Sequence, residues 1–113
     1  MLKTENRLKK RKEFNYIYRK GESTSVKYVT LFCSNTPKRI LKVGFSVSKK
    51  IGKAYIRNKV KRQMRAIVRE LIPNLQNNIA YVFVAKSGID TLSFTELKDC
   101  ILSVVKKSGK LEK

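Results

Sequence analysis

Apolar positions alternate with polar ones in the middle of the chain and recur every three or four residues on either side of it. Residues 27–35 set Val29, Leu31 and Cys33 against Tyr28, Thr30, Phe32 and Ser34, the period-two pattern of a strand. Asn35-Thr36-Pro37 reads as a turn. Residues 40–48 alternate again, with Leu41, Val43, Phe45 and Val47 on one side and Ile40, Lys42, Gly44, Ser46 and Ser48 on the other. The two runs are expected to pair as a hairpin. The side of the second that carries Gly44, Ser46 and Ser48 is built of small residues and leaves room for something to lie against the sheet.

Before the strands, Phe14, Ile17 and Tyr18 fall at i, i+3 and i+4 and predict a short helix over 12–20, with Gly21 as its C′ residue. After them, Ile56, Val60, Met64, Ile67 and Leu71 are spaced 4, 4, 3 and 4 apart. At 100° per residue they fall within about an 80° arc, which predicts a long helix over 54–72 that ends before Pro73. Residues 74–78 read as loop, and the run Ile-Ala-Tyr-Val-Phe-Val-Ala at 79–85 reads as a buried strand. Ser93-Phe-Thr-Glu96 is a capping-box pattern opening a last helix to about 107, whose core face is Leu97, Ile101, Val104 and Val105. The order is helix, two or three strands, helix, strand, helix, an α+β sandwich with helices packed on one sheet.

Charge changes this picture more than composition does. The 113 residues and 42% hydrophobic content fit one domain with one modest core. Against 8 acidic residues stand 27 basic ones, a formal net charge of +19. Between Glu22 and Glu70 there are 13 basic residues and no acid. A folded surface this basic repels itself unless an anion neutralises it, and a phosphate backbone is the natural anion. A membrane surface is the weaker alternative, because the apolar residues are spread over strands as well as helices. No run approaches a membrane span, and the N-terminus lacks the apolar segment of a signal peptide. Residues 1–12 are polar and basic and are expected to form an arm with little packing of its own. Cys33 and Cys100 lie far apart without metal-ligand spacing, and both are expected to be buried, reduced thiols of a cytoplasmic protein.

The basic residues cluster at one place. Ser46-Val-Ser48-Lys49-Lys50-Ile-Gly52-Lys53 joins a strand to the long helix, where ammonium and backbone N–H groups can face a phosphate. It is not a nucleotide-binding P-loop, since Val47 stands where the first glycine belongs and Ala54 where Ser or Thr belongs. Arg57, Lys61 and Arg65 then stack at i, i+4 and i+8, with Asn58, Lys59 and Arg62 beside them. A solvated face normally mixes signs and this one does not, which favours nucleic acid. Strands rather than a helix and a short turn precede this helix, which favours RNA over DNA. Phe14, Tyr18 and Phe32 are candidates to line a groove in which bases of single-stranded RNA stack, though ordinary core packing also accounts for such rings. The chain has no histidine, no close pair of carboxylates and no nucleophile beside a base, so no catalytic group and no metal site are expected.

Four stretches together resemble the protein subunit of bacterial ribonuclease P, over about residues 6–107. They are Arg7-Leu-Lys-Lys10 with Phe14-Asn-Tyr-Ile-Tyr-Arg-Lys-Gly21, Val43-Gly-Phe-Ser-Val-Ser-Lys-Lys-Ile-Gly52, Ala54 with Arg57-Asn-Lys-Val-Lys-Arg-Gln-Met-Arg65, and residues 81–85 with Lys86. The second and third in this order are highly specific. The resemblance implies a two-layer α–β sandwich, with one four-stranded sheet and three helices in the order α-β-β-β-α-β-α. It also implies a left-handed β-α-β crossover like that of the second domain of a small-subunit ribosomal protein. It implies a single RNA-binding domain over 1–113 with a basic arm at 1–11.

In function, the resemblance implies a cytoplasmic protein that binds a catalytic RNA and the single-stranded 5′ leader of precursor tRNA. The RNA carries the catalytic centre and uses Mg2+, and the protein holds no cofactor and is expected to bind neither membrane nor DNA. By the same resemblance, Phe14, Tyr18, Phe32, Ser46 and Ser48 match the leader cleft. Lys49, Lys50, Lys53, Arg57, Asn58, Lys59, Lys61, Arg62 and Arg65 match the RNA-binding helix and its entry. Lys59 stands where the motif commonly has Arg, which keeps the charge but not the bidentate fork. The rivals are a ribosomal or general RNA-binding protein, a DNA-binding regulator and a self-sufficient nuclease.

Overall fold

The computed structural model describes residues 7–8, 10–35, 41–76 and 78–110. Its elements run α1 (Arg11–Lys20), β1 (Glu22–Ser25), β2 (Val29–Asn35), β3 (Lys42–Ser46), α2 (Ala54–Leu71), β4 (Ile79–Ala85) and α3 (Phe94–Ser108). Short 3-10 turns at Lys49–Ile51, Ile72–Asn74 and Ile89–Thr91 join them. The four strands form one mixed sheet in the order β1-β2-β4-β3, with β3 parallel to β4 and the other pairs antiparallel.

The expected hairpin between the second and third strands does not form: β4 lies between them. Strand β4 is apolar on both faces, so it takes the centre of the sheet, flanked by a strand on either side. Strand β2 pairs instead with β1, whose sequence Glu-Ser-Thr-Ser carries no apolar alternation and gave no strand signal of its own. The free edge of β2 supplies the template for this polar edge strand. Of the turn expected at 35–37, residues 36 and 37 lie outside the described residues, and Asn35 ends β2.

One face of the sheet carries Val29, Leu31, Cys33, Val43, Tyr81, Phe83 and Ala85, all buried. Against it pack Val60, Met64, Ile67, Val68 and Leu71 of α2 and Leu97, Ile101, Val104 and Val105 of α3. The stripe expected on α2 is widened by Val68, and only Ile56, at its head, is half-buried. The buried Tyr81 hydroxyl donates to the Gln76 carbonyl at 2.9 Å, which satisfies the one polar atom of that ring. The capping box of α3 forms as expected. The Glu96 N–H donates to Ser93 Oγ at 3.1 Å, and the Ser93 N–H donates to Glu96 Oε1 at 2.8 Å. The two thiols part company: Cys33 is buried but Cys100 is half-buried, because it sits on the flank of α3 beside its core stripe. Burial pushes the Cys33 thiol up to about 11, with Lys110 opposing and Glu22 adding to the shift. Cys100 is raised first by desolvation, then by Asp99 and Glu96, so both thiols are held protonated at neutral pH.

The other face is covered only in part. Helix α1 lies across it through Ile17, which packs on Ala80 and Val82 with Leu8, Phe14, Phe32 and Val84 around them. The N-terminal arm is less detached than its composition suggests. The Leu8 N–H donates to the Val43 carbonyl at 2.9 Å, and Arg7 bridges Val43 in parallel. The arm thus pairs with the outer edge of β3, and the Leu8 side chain packs on the Ile17 cluster. Residues 1–6 and 9 of the arm lie outside the described residues.

Gly21 follows the end of α1 as expected, but not through a left-handed backbone, for its φ is −81° and its ψ 163°. A side chain is excluded there by proximity instead: a Cβ would stand 2.6 Å from the Ile17 carbonyl oxygen and 2.7 Å from that of Cys33. Both atoms are backbone and neither can swing aside, so α1 and β2 must move apart to admit a methyl group. Gly21→Ala is therefore expected to lower stability by about 1–3 kcal/mol, measured by urea denaturation. A variant as stable as the parent would show that this junction is not packed as described.

Candidate RNA interface

The partly covered face is organised by strand register. Alternate residues of the sheet form rows on the side of α1, and the register places Gly44, Val82, Phe32 and Ser23 in one row. The next row holds Ser46, Val84, Thr30 and Ser25. Helix α1 sits on the first of these rows through Ile17 on Val82, whereas Ser46, Val84 and Thr30 in the second are only half-buried. A strip of hydroxyls with a valine in the middle is thus left along one side of the helix.

Three rings wall this strip. Phe14 and Tyr18, one helical turn apart on α1, have centroids 6.4 Å apart. Tyr18 meets Phe32 of β2 edge to face at 5.0 Å. Phe14 can lie this close to β3 only because residue 44 has no side chain: a Cβ on Gly44 would stand 2.6 Å from Phe14 Cζ. The small-residue face expected on β3 is therefore filled by Phe14 at Gly44 and stays open at Ser46. Phe14 and Phe32 are half-buried against the Ile17 cluster, and Tyr18 remains 38% exposed.

At one end the strip runs into the basic turn. Ser48 is exposed, one strand stride (about 6.6 Å) beyond Ser46. It precedes the turn that presents Lys49 and Lys50, with Lys53 exposed at the start of α2. At the other end the strip is fixed internally. Ser25 Oγ and Thr30 Oγ1 stand 3.0 Å apart, and Lys86 Nζ donates to Ser25 Oγ at 2.7 Å and to the Val26 carbonyl at 2.6 Å. Lys107 Nζ adds a bond to the Ser25 carbonyl at 3.1 Å. These two lysines tie down the β1–β2 turn.

Helix α2 forms a second basic surface, in the layer on the far side of the sheet. Asn58, Lys59 and Arg62 are exposed, and Lys61 and Arg65 are half-buried. Arg57, also half-buried, spends one donor inside the chain: its Nε–H bonds the Gly52 carbonyl at 3.2 Å and fastens the Lys49–Ile51 turn to the helix. Gly52 has a φ of 157°, which favours glycine at that bend. Among the described residues none of these cations has an ion-pair partner. Glu70, the first acid after Glu22, is taken by Lys98 of α3 at 3.4 Å. The structure therefore brings Phe14, Tyr18 and Phe32 together beside the row that holds Ser46, with Ser48, Lys49, Lys50 and Lys53 following Ser46 along the chain. It sets Asn58, Lys59, Lys61, Arg62 and Arg65 apart on α2.

Sequence reasoning missed Thr30 and Val84. The alternation of β2 does put Thr30 on the side of Phe32, but only the register with β4 shows that Ser46, Val84 and Thr30 adjoin. This surface offers cations, rings and hydroxyls, groups that bind phosphates and bases. Among the described residues no three Cys, Asp or Glu side chains gather as metal ligands would, and no helix is long and apolar enough to cross a membrane.

Comparison with known proteins agrees over nearly the whole chain. The sequence profile of the family described as Ribonuclease P matches residues 2–109. The ribonuclease P protein component of Geobacillus kaustophilus is 33% identical over 113 residues, covering 99% of this chain and 93% of that protein. That of Clostridium botulinum is 34% identical over 106 residues, covering 93% and 96%. Among solved structures, the ribonuclease P protein of Staphylococcus aureus superposes with a TM-score of 0.89 at 25% identity, covering 95% of this chain and 98% of that one. The protein from Thermotoga maritima gives 0.81 at 25% identity, covering 89% and 96%. With its strand order, its ring-walled strip and its carboxylate-free helix face, the chain belongs to the family of bacterial ribonuclease P protein components.

Proposed function

We propose that this chain, as a protein component of ribonuclease P, binds two RNAs on two surfaces and so promotes removal of the 5′ leader from precursor tRNA. The observation that carries this reading is the separation of the two surfaces by the sheet. One is a strip of hydroxyls walled by rings, and the other is a helix face whose cations have no counter-charge among the described residues. The strip takes the leader. Bases stack on Phe14, Tyr18 and Phe32, and Ser46 and Ser48 donate hydroxyls to the sugar–phosphate backbone. Such contacts tolerate any sequence, because every base has a flat face.

Lys49, Lys50 and Lys53 at the rim meet phosphates where the leader leaves the strip. Asn58, Lys59, Lys61, Arg62 and Arg65 meet the catalytic RNA, and Arg57 shapes the turn between the two surfaces as well as carrying charge. The RNA subunit holds the catalytic centre and supplies its chemistry with Mg2+. The chain's own residues bind, orient and neutralise. Two RNAs repel each other, and cations placed between them do part of the work that magnesium otherwise does alone. The reading places the protein in the cytoplasm, with precursor tRNA and the ribonuclease P RNA as partners and without a role for membrane or DNA.

Cleavage of precursor tRNA at low magnesium tests this directly, with the protein alone, the ribonuclease P RNA alone, and both. A mature 5′ end is expected from the mixture, little from the RNA alone and none from the protein. An RNA whose activity the protein does not raise would contradict the reading. Arg62→Gln removes one exposed cation from α2 and is expected to reduce the slope of log affinity for the RNA against log salt by about 1. An unchanged slope would remove Arg62 from the interface.

A further inference from the structure

Tyr55 is the most exposed large hydrophobic side chain among the described residues, at 71% against 49% for Tyr16, 44% for Phe94 and 38% for Tyr18. Tyr18 belongs to the ring cluster of the strip. Tyr55 has no ring contact, no side-chain hydrogen bond and no place in either apolar cluster among the described residues. A single exposed ring is ordinary on a protein surface. What distinguishes this one is its surroundings.

On α2, at 100° per residue, Tyr55, Asn58, Arg62 and Arg69 fall within about a 60° arc. That arc is centred opposite the buried stripe of Val60, Met64, Ile67 and Leu71. Asn58 and Lys59 lie one turn along the helix, within side-chain reach of the ring, and Arg62 lies about 10 Å further along the axis. Lys53 precedes the helix two residues away and is also exposed. The ring is thus hemmed by cations and an amide, with no carboxylate from residue 23 to residue 69. Phe94 makes the contrast. It stands at the head of α3 with Asp90, Glu96 and Asp99 near it in sequence, a setting that repels phosphate.

Cations flanking an exposed flat ring match the chemistry of an unpaired nucleotide, with the base on the ring and the phosphates on the ammonium and guanidinium groups. Among the described residues nothing uses the ring: the apolar stripe of α2 is complete without it. From this placement we infer that Tyr55 is a stacking platform for one unpaired base of the catalytic RNA, adding to the charge contacts of α2 a contact that salt does not screen. The inference rests on the two-surface reading above, and it concerns the second surface, away from the leader strip.

Binding of the full-length protein to its cognate ribonuclease P RNA tests it, measured across a salt series for the parent, Tyr55→Ala, Tyr55→Phe, Phe94→Ala and Arg62→Gln. Circular dichroism checks that each variant is folded, as expected for exposed positions. Tyr55→Ala is expected to weaken binding by about 5- to 100-fold with an unchanged salt slope. Tyr55→Phe and Phe94→Ala are expected to stay within about twofold of the parent. A Tyr55→Ala protein that binds like the parent, beside an Arg62→Gln protein that is weakened, overturns the platform and leaves the charge reading standing. Tyr55→Phe weakened as much as Tyr55→Ala also overturns it, because the hydroxyl rather than the ring face would then be the contact. If neither Tyr55→Ala nor Arg62→Gln is weakened, α2 is not an RNA-binding face, and both readings fall.

Discussion

Strand β4 is apolar on both faces, and the arrangement of the rest of the chain follows from the need to cover it twice. Seven consecutive residues without a charge cannot sit at a sheet edge, so β2 and β3 are drawn to either side of it and do not pair with each other. Helices α2 and α3 bury β4 on one face. Among the described residues α1, ten residues long, is the one helix on the other, with Leu8 beside it. It reaches Ala80 and Val82 through Ile17 and leaves Val84 half-buried. Burying Ile17 contributes roughly 1.5–3 kcal/mol, enough to hold a short helix in place but not to close the sheet. The open strip is what remains of a central strand whose second face has one short helix to cover it.

The charge arrangement has its own physical logic. Arg57, Lys61 and Arg65 at successive turns cost α2 a few tenths of a kcal/mol per pair, with no acid on the helix until Glu70 to relieve them. The buried stripe of α2 tolerates this cost because tertiary packing, not surface charge, holds the helix. An RNA that binds this face relieves the repulsion, so strain within the free protein becomes affinity in the complex. Internal ties keep the surfaces shaped. Arg57 holds the basic turn to α2, Lys86 and Lys107 hold the far end of the strip, and Gly44 admits Phe14.

Helices were the most legible part of the sequence. The expected spans at 12–20, 54–72 and 93–107 fall within two residues of α1, α2 and α3, because an apolar stripe at period 3.6 lines up on one side of a helix and on neither side of a strand. Strand β4 was legible from its run of β-branched and aromatic residues. Strand β1 and the pairing partners were not: Glu-Ser-Thr-Ser has no pattern, and which strand lies beside which is decided by competition for the centre of the sheet. The site divides in the same way. The basic helix could be read from charge alone, and the rings Phe14 and Tyr18 from their shared helix face. That Tyr18 meets Phe32, and that Ser46, Val84 and Thr30 form one row, depends on the register of strands distant in sequence.

The central claim is that one face of the sheet holds the leader and the other layer holds the catalytic RNA. It is tested most directly by comparing the affinity of the holoenzyme for precursor tRNA and for the same tRNA without a leader, in the parent and in Tyr18→Leu. Leucine keeps the apolar bulk of residue 18 and removes its flat face. The parent is expected to bind the precursor more tightly. The variant is expected to lose about fivefold or more of that advantage while binding leaderless tRNA unchanged. An advantage that survives intact, or an equal loss for both tRNAs, would contradict the account.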